Sequence, residues 1–99
     1  MPRLHHNYHV YILTNSNKTV LYTGITGNLA QRLIQHQNPT DRTSFTAKYN
    51  VFFLVHYERF QYVNDAICRE KEIKGWSRQK KIELINSNNP TWEFLNVSI

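Results

Sequence analysis

Cysteine is nearly absent from this chain. Cys68 stands alone among 99 residues, which excludes an intrachain disulfide and fits a reducing compartment. Placed inside a helical pattern, it reads as a partly buried, inert thiol. No apolar run comes near the ~18 residues that a membrane-spanning helix needs. Met1 to His6 lacks the apolar stretch of a signal peptide. A cytoplasmic protein that does not enter membranes is therefore expected. His5 and His6 read either as a metal-binding pair or as a frayed polar end. No repeat, low-complexity run or linker divides the chain, so one domain over residues 1–99 is expected, with a core over roughly 8–95. Acid is also scarce: seven Asp and Glu face twelve Lys and Arg, a formal charge of +5. That balance fits a polyanionic partner, nucleic acid before an acidic membrane surface.

What is present argues for a packed globule, since apolar residues make up 40% and aromatics 13% of the chain. Val10-Tyr11-Ile12-Leu13-Thr14 and Thr19-Val20-Leu21-Tyr22-Thr23 are β-branched and aromatic runs. The polar stretch Asn15-Ser16-Asn17-Lys18 separates them, which is a hairpin signal. Gly24 is expected to end the second strand in a sharp turn. Asn28 offers a helix N-cap, and Leu29 to Gln37 follows with helical spacing. Leu29, Ala30, Leu33 and Ile34 form its expected apolar stripe. Arg32 and His36 stack at the stripe's edge, where a long side chain can present its head to a cleft.

A polar loop leads to Phe45-Thr46-Ala47-Lys48-Tyr49-Asn50 and then to Val51-Phe52-Phe53-Leu54-Val55, a run expected as a strand buried on both faces. Asn64-Asp65 opens a second long helix, which runs to about Lys74 with Gly75 as its stop. Ala66, Ile67 and Ile73 form its apolar stripe, and Glu70 falls inside that stripe. A carboxylate there is costly unless something pairs with it. Ser77 caps a third helix to about Asn86, basic at its front through Arg78, Lys80 and Lys81. Asn88-Asn89-Pro90 breaks this helix, and Trp92, Phe94 and Leu95 are expected to fold back on the core. The order β-β-α-β-α-α predicts an α+β domain, a three-stranded antiparallel sheet flanked by helices.

Val10-Tyr11-Ile12 followed by Tyr22-Thr23-Gly24 resembles the paired motif of the GIY-YIG nucleases. Arg32 and His36 match that family's first helix, and Glu70 within Arg69-Glu70-Lys71 matches its metal-binding carboxylate. The Phe45 to Asn50 segment and Trp76-Ser77-Arg78 resemble a small stand-alone bacterial subgroup. His9 and Thr23 stand where the family motif has glycine and isoleucine.

The resemblance implies an endonuclease that hydrolyses phosphodiester bonds, with DNA favoured over RNA and a role linked to repair or to branched structures. It implies Tyr11, Tyr22, Arg32, His36 and Glu70 as the catalytic set, with Mg²⁺ or Mn²⁺ on Glu70. Arg32 would bind the scissile phosphate, and Tyr11 would position or deprotonate the attacking water. Tyr22 would orient that water or bind phosphate through its hydroxyl, and His36 would share proton transfer or hydrogen-bond a tyrosine. Lys48, Arg78, Lys80 and Lys81 are candidate contacts to the nucleic-acid backbone. Each residue also has a plain alternative: cross-strand packing for the tyrosines, a buried ion pair for Glu70, and solvated surface for the bases. A non-catalytic nucleic-acid-binding module with the same fold remains the other reading.

Overall fold

The structure, a computed structural model, describes residues 7–38, 40 and 42–98. The His5–His6 pair lies outside them. Strand β1 (Tyr8–Thr14) and strand β2 (Leu21–Thr26) form the expected hairpin. Helix α1 (Leu29–Gln37) and a short helix α2 (Phe45–Lys48) follow, then strand β3 (Phe53–Phe60). Helices α3 (Val63–Lys74) and α4 (Arg78–Asn88) come next, and a 3₁₀ turn (Leu95–Ser98) closes the described chain. The sheet is antiparallel in the order β2-β1-β3. This is the α+β architecture that the element order predicts. None of the described helices is long and apolar enough to cross a membrane.

The hairpin turn is held by Asn15, whose side-chain oxygen accepts from the backbone N–H of Thr19 (2.8 Å) and Val20 (3.1 Å). Lys18 takes the left-handed conformation there, φ 59°. Central strand β1 is buried along most of its length, and each of its faces carries a separate core. Val10 and Ile12 pack with Val55, Ala66, Ile73 and Ile85 on the side of α3 and α4. Tyr11 and Leu13 pack with Leu29, Leu33, Val51 and Leu54 on the side of α1. A register shift between Ile12 and Leu13 bulges β3: Ile12 faces His56 while Leu13 faces Leu54.

Several expectations are corrected. Gly24 does not end β2. The strand runs on to Thr26, with Gly24 paired to Tyr11. What requires glycine is proximity, because a Cβ there would lie 2.5 Å from both Cζ and Oη of Tyr11. On α1 the inward stripe is Leu29, Leu33 and His36, while Ala30 and Ile34 are exposed. The histidine takes the inward position because α2 supplies it a polar partner, described below. Strand β3 begins at Phe53 and reaches Phe60, and its far half alternates between exposed and half-buried residues because it is an edge strand. Helix α3 starts at Val63, ahead of Asn64-Asp65, and its Cys68 and Ile67 face outward, so the thiol is exposed rather than partly buried. The C-terminal segment does fold back. Phe94 stacks on Phe53 at 4.3 Å, and the Asn96 side chain accepts from Leu54 N–H (2.8 Å) and donates to the Phe52 carbonyl (3.0 Å). That amide covers backbone groups of the β3 edge that would otherwise invite another strand.

Candidate active site

The site grows from the β1–β2 pairing. Tyr11 sits opposite Gly24 and Leu13 opposite Tyr22, so both phenols lie on the α1 face of the sheet. Their ring centroids are 6.4 Å apart. Above them runs α1, started by Asn28, whose side chain accepts from Gln31 N–H at 3.1 Å. The four-residue spacing of Arg32 and His36 brings both onto the phenols. Arg32 Nε donates to the Tyr11 hydroxyl at 3.4 Å, and His36 Nε2 lies 3.1 Å from the same oxygen. The His36 ring meets Tyr22 edge-on at 5.8 Å. Four of the five expected catalytic side chains therefore form one cluster.

A cleft of about 520 Å³ opens beside this cluster, lined by Tyr22, Arg32, Gln35, His36, Phe45 and Thr46 among others. Tyr11 does not reach it. The Tyr11 side chain is fully buried beneath Arg32. Burial raises the Tyr11 phenol above its ordinary value, and the Arg32 hydrogen bond works against that rise. Burial lowers the His36 imidazole, and the Arg32 charge lowers it further. At neutral pH the cluster therefore holds a protonated phenol, a neutral imidazole and a guanidinium.

Glu70 is carried by α3, which packs on the other face of the sheet through Ala66 and Ile73 and also contacts the edge strand β2. It is 14% exposed and forms an ion pair with Lys74 at 2.8 Å. Its charge reaches Tyr11, where it adds to the upward push on the phenol. That ion pair raises the Lys74 ammonium, and Tyr22 raises it further. The carboxylate thus belongs to the electrostatic surroundings of Tyr11, while no described hydrogen bond joins the two. Among the described residues no group of three or more His, Cys, Asp or Glu side chains gathers to cage a metal. One hard carboxylate oxygen suits Mg²⁺ or Mn²⁺ that keeps most of its waters and takes further oxygens from a phosphate. Lys74 is 53% exposed, so water can solvate its ammonium if an ion takes the carboxylate, and the donor chemistry fits such an ion.

The candidate backbone contacts are divided. Lys48 lies on α2 near the cleft, its ammonium 5.7 Å from the Tyr49 ring centroid. Arg78, Lys80 and Lys81 lie on α4, which packs on the other face of the sheet. Lys80 is stacked over Trp76 at 4.4 Å. Two features escaped the sequence reading. Thr46 is buried and bonds to His36 at 3.1 Å. Its signal is the Ser44 cap three residues before Ala47, which starts a helical turn and aims Thr46 inward. The second is a network of His56, Glu58, Arg69 and Glu72. His56 Nε2 lies 2.8 Å from Glu58, and Arg69 forks onto the same carboxylate at 2.8 and 3.1 Å. Arg69 also reaches Glu72 at 2.8 Å. Its signal is the i, i+2 spacing of a histidine and a glutamate on one strand face.

A three-stranded antiparallel sheet that offers two phenols to an arginine–histidine helix defines the class of small α+β domain to which this chain is similar. The GIY-YIG catalytic domain family matches residues 7–83, and the chain belongs to the GIY-YIG family. This family has a nuclease fold, generally uses a metal ion, and implies a nucleic-acid substrate. Among similar proteins, a UPF0213 protein of Syntrophus aciditrophicus is 40% identical over 82 residues, covering 83% of this chain and 92% of that one. A UPF0213 protein of Natronomonas pharaonis is 38% identical over 79 residues, covering 80% and 91%. The solution NMR structure of a UPF0213 protein from Bacillus halodurans matches with a TM-score of 0.58 at 29% identity, covering 93% of this chain and 94% of that one.

Proposed function

We propose that this protein is a metal-dependent endonuclease that hydrolyses phosphodiester bonds in DNA, its catalytic domain spanning roughly residues 8–95. The observation that carries this reading is the cluster in which Arg32 and His36 both bond the Tyr11 hydroxyl while Tyr22 and Arg32 line the adjoining cleft. Arg32 is exposed on its cleft side, so its planar donors are available to a phosphate. A phosphate that draws Arg32 toward the cleft uncovers Tyr11. The Tyr11–His36 pair then takes one proton from a water that adds to phosphorus as the bridging P–O bond breaks. Tyr22, half-buried at the cleft wall, orients that water. Glu70 would hold Mg²⁺ or Mn²⁺, which neutralises charge on the phosphate and on the departing oxygen when bound. Lys48, on α2 beside the cleft, would contact the backbone of a bound strand, and Arg78, Lys80 and Lys81 would offer it a second basic face.

The test is a panel of end-labelled DNA and RNA: single-stranded, duplex, branched and damaged. Each is incubated with Mg²⁺ or Mn²⁺ and either the wild-type chain or Glu70→Ala. Cleavage of DNA that requires both Glu70 and the metal is the expected result. A second reading, a nucleic-acid-binding module without turnover, draws on the burial of Tyr11 and on the closed Glu70–Lys74 pair. Salt-sensitive binding with no cut product anywhere in the panel would select it.

A further inference from the structure

Thr46 is 6% exposed, and its hydroxyl meets the His36 ring nitrogen that faces away from Tyr11. The four polar groups Arg32 Nε, Tyr11 Oη, His36 and Thr46 Oγ1 form one chain, with links of 3.4, 3.1 and 3.1 Å. The direction of its hydrogens follows from one fixed end. A guanidinium only donates, so the Tyr11 oxygen accepts from Arg32. Tyr11 has no exposed surface, so its own hydrogen needs a protein acceptor. Among the described residues that acceptor is His36 Nε2. Nε2 then carries the lone pair, and the hydrogen of the neutral ring sits on Nδ1, where Thr46 Oγ1 accepts it. The reverse arrangement points an Nε2 hydrogen at a phenol oxygen already engaged by Arg32, and it leaves the phenol hydrogen buried with no acceptor.

We infer that Thr46 is a positioning residue: it accepts the Nδ1 hydrogen of the tautomer that Tyr11 imposes and fixes the His36 ring so that Nε2 receives the Tyr11 proton. The tautomer stands on geometry alone; its value in catalysis rests on the nuclease reading above. The burial and positive charge that keep His36 below its ordinary value agree with a neutral ring. Arg32 is the charged group that faces the ring. Tyr11 and Tyr22 are the titratable ones, the latter through an edge contact at 5.8 Å. Serine keeps the hydroxyl that the role requires, whereas valine keeps the shape and loses it.

The experiment is long-range ¹H–¹⁵N correlation of the His36 ring in the full chain, for wild type, Thr46→Val and Thr46→Ser, at a pH well above the ordinary ~6.5 of imidazole. Wild type is expected to show a protonated Nδ1 and a bare Nε2. Thr46→Val is expected to lose the hydrogen-bonded Nδ1 shift and Thr46→Ser to restore it. Under single-turnover conditions the valine variant should cut roughly ten- to a hundredfold more slowly, with the serine variant recovering. An Nε2–H tautomer in wild type overturns the inference without any variant. A folded Thr46→Val whose Nδ1 shift matches wild type overturns it as well. Absence of cleavage by wild type refutes the nuclease reading instead, and the ring nitrogens still decide the role of Thr46.

Discussion

Replacing Gly24 with alanine should break the site from beneath. Gly24 has no positive φ, so backbone strain plays no part. A Cβ would lie 2.5 Å from Tyr11 Cζ and Oη and 3.0 Å from Cε1, where carbon atoms need about 3.5 Å. The neighbour is a ring in a fully buried side chain, so it cannot simply swing into solvent. Moving it by nearly an ångström strains the core on the α1 face, which costs roughly 1–3 kcal/mol. The same shift stretches its bonds to His36 (3.1 Å) and Arg32 (3.4 Å) beyond hydrogen-bonding range, at about 1 kcal/mol together or somewhat more. A loss of about 2–4 kcal/mol follows, or roughly 10–25 °C in Tm for a domain of this size. Urea and thermal unfolding of Gly24→Ala measure it. In a Tyr11→Leu background the same substitution should cost markedly less, because the ring it meets is gone. A Gly24→Ala protein within about 0.5 kcal/mol of wild type would refute the account of why glycine is needed there.

Other outcomes follow from the charged groups. The His56 hydrogen bond, aided by Arg69, holds the Glu58 carboxyl at about 2 against an ordinary 4.5. Its folded value is depressed, so its contribution is complete above pH 4.5 and drains away as pH falls toward 2. Glu58→Gln should therefore lose up to about 3 kcal/mol at neutral pH and flatten the acid limb of urea midpoints; an unchanged limb contradicts this. Lys74→Gln removes the cation paired with Glu70 and should tighten Mn²⁺ binding roughly two- to fivefold by paramagnetic line broadening. An unchanged affinity would place the ion elsewhere. Substituting Lys80 and Lys81 with glutamine should flatten the salt dependence of DNA binding by about one unit of slope per lost phosphate contact. An unaltered slope would take the α4 face off the nucleic acid.

Local chemistry made much of this legible. The Asn15 turn, the Asn28 and Ser77 caps and the four-residue spacing of Arg32 and His36 are signals carried within a few residues, and each appears where the sequence places it. The reading failed where tertiary contact overrides local pattern. Gly24 reads as a turn residue because a sequence does not show a phenol lying across its backbone. Ile34 outscores His36 on hydrophobicity, yet the histidine is the buried one because Thr46, ten residues on, satisfies its nitrogen. The cost of burying Glu70 was legible from its stripe position, but the relief provided by Lys74 one turn later was not singled out. The burial of Tyr11 beneath Arg32 depends on how two elements dock, which no periodicity encodes.

The central claim is that these side chains cut a phosphodiester rather than merely hold one. Single-turnover cleavage of an end-labelled DNA with Mn²⁺, run side by side for wild type, Tyr22→Phe, Arg32→Ala and Glu70→Gln, tests it most directly. The account predicts cut product from wild type and at least a roughly hundredfold slower rate in each variant, with Tyr22→Phe still binding the strand. Equal cleavage by wild type and Glu70→Gln, or binding by all four with no product from any, would contradict it.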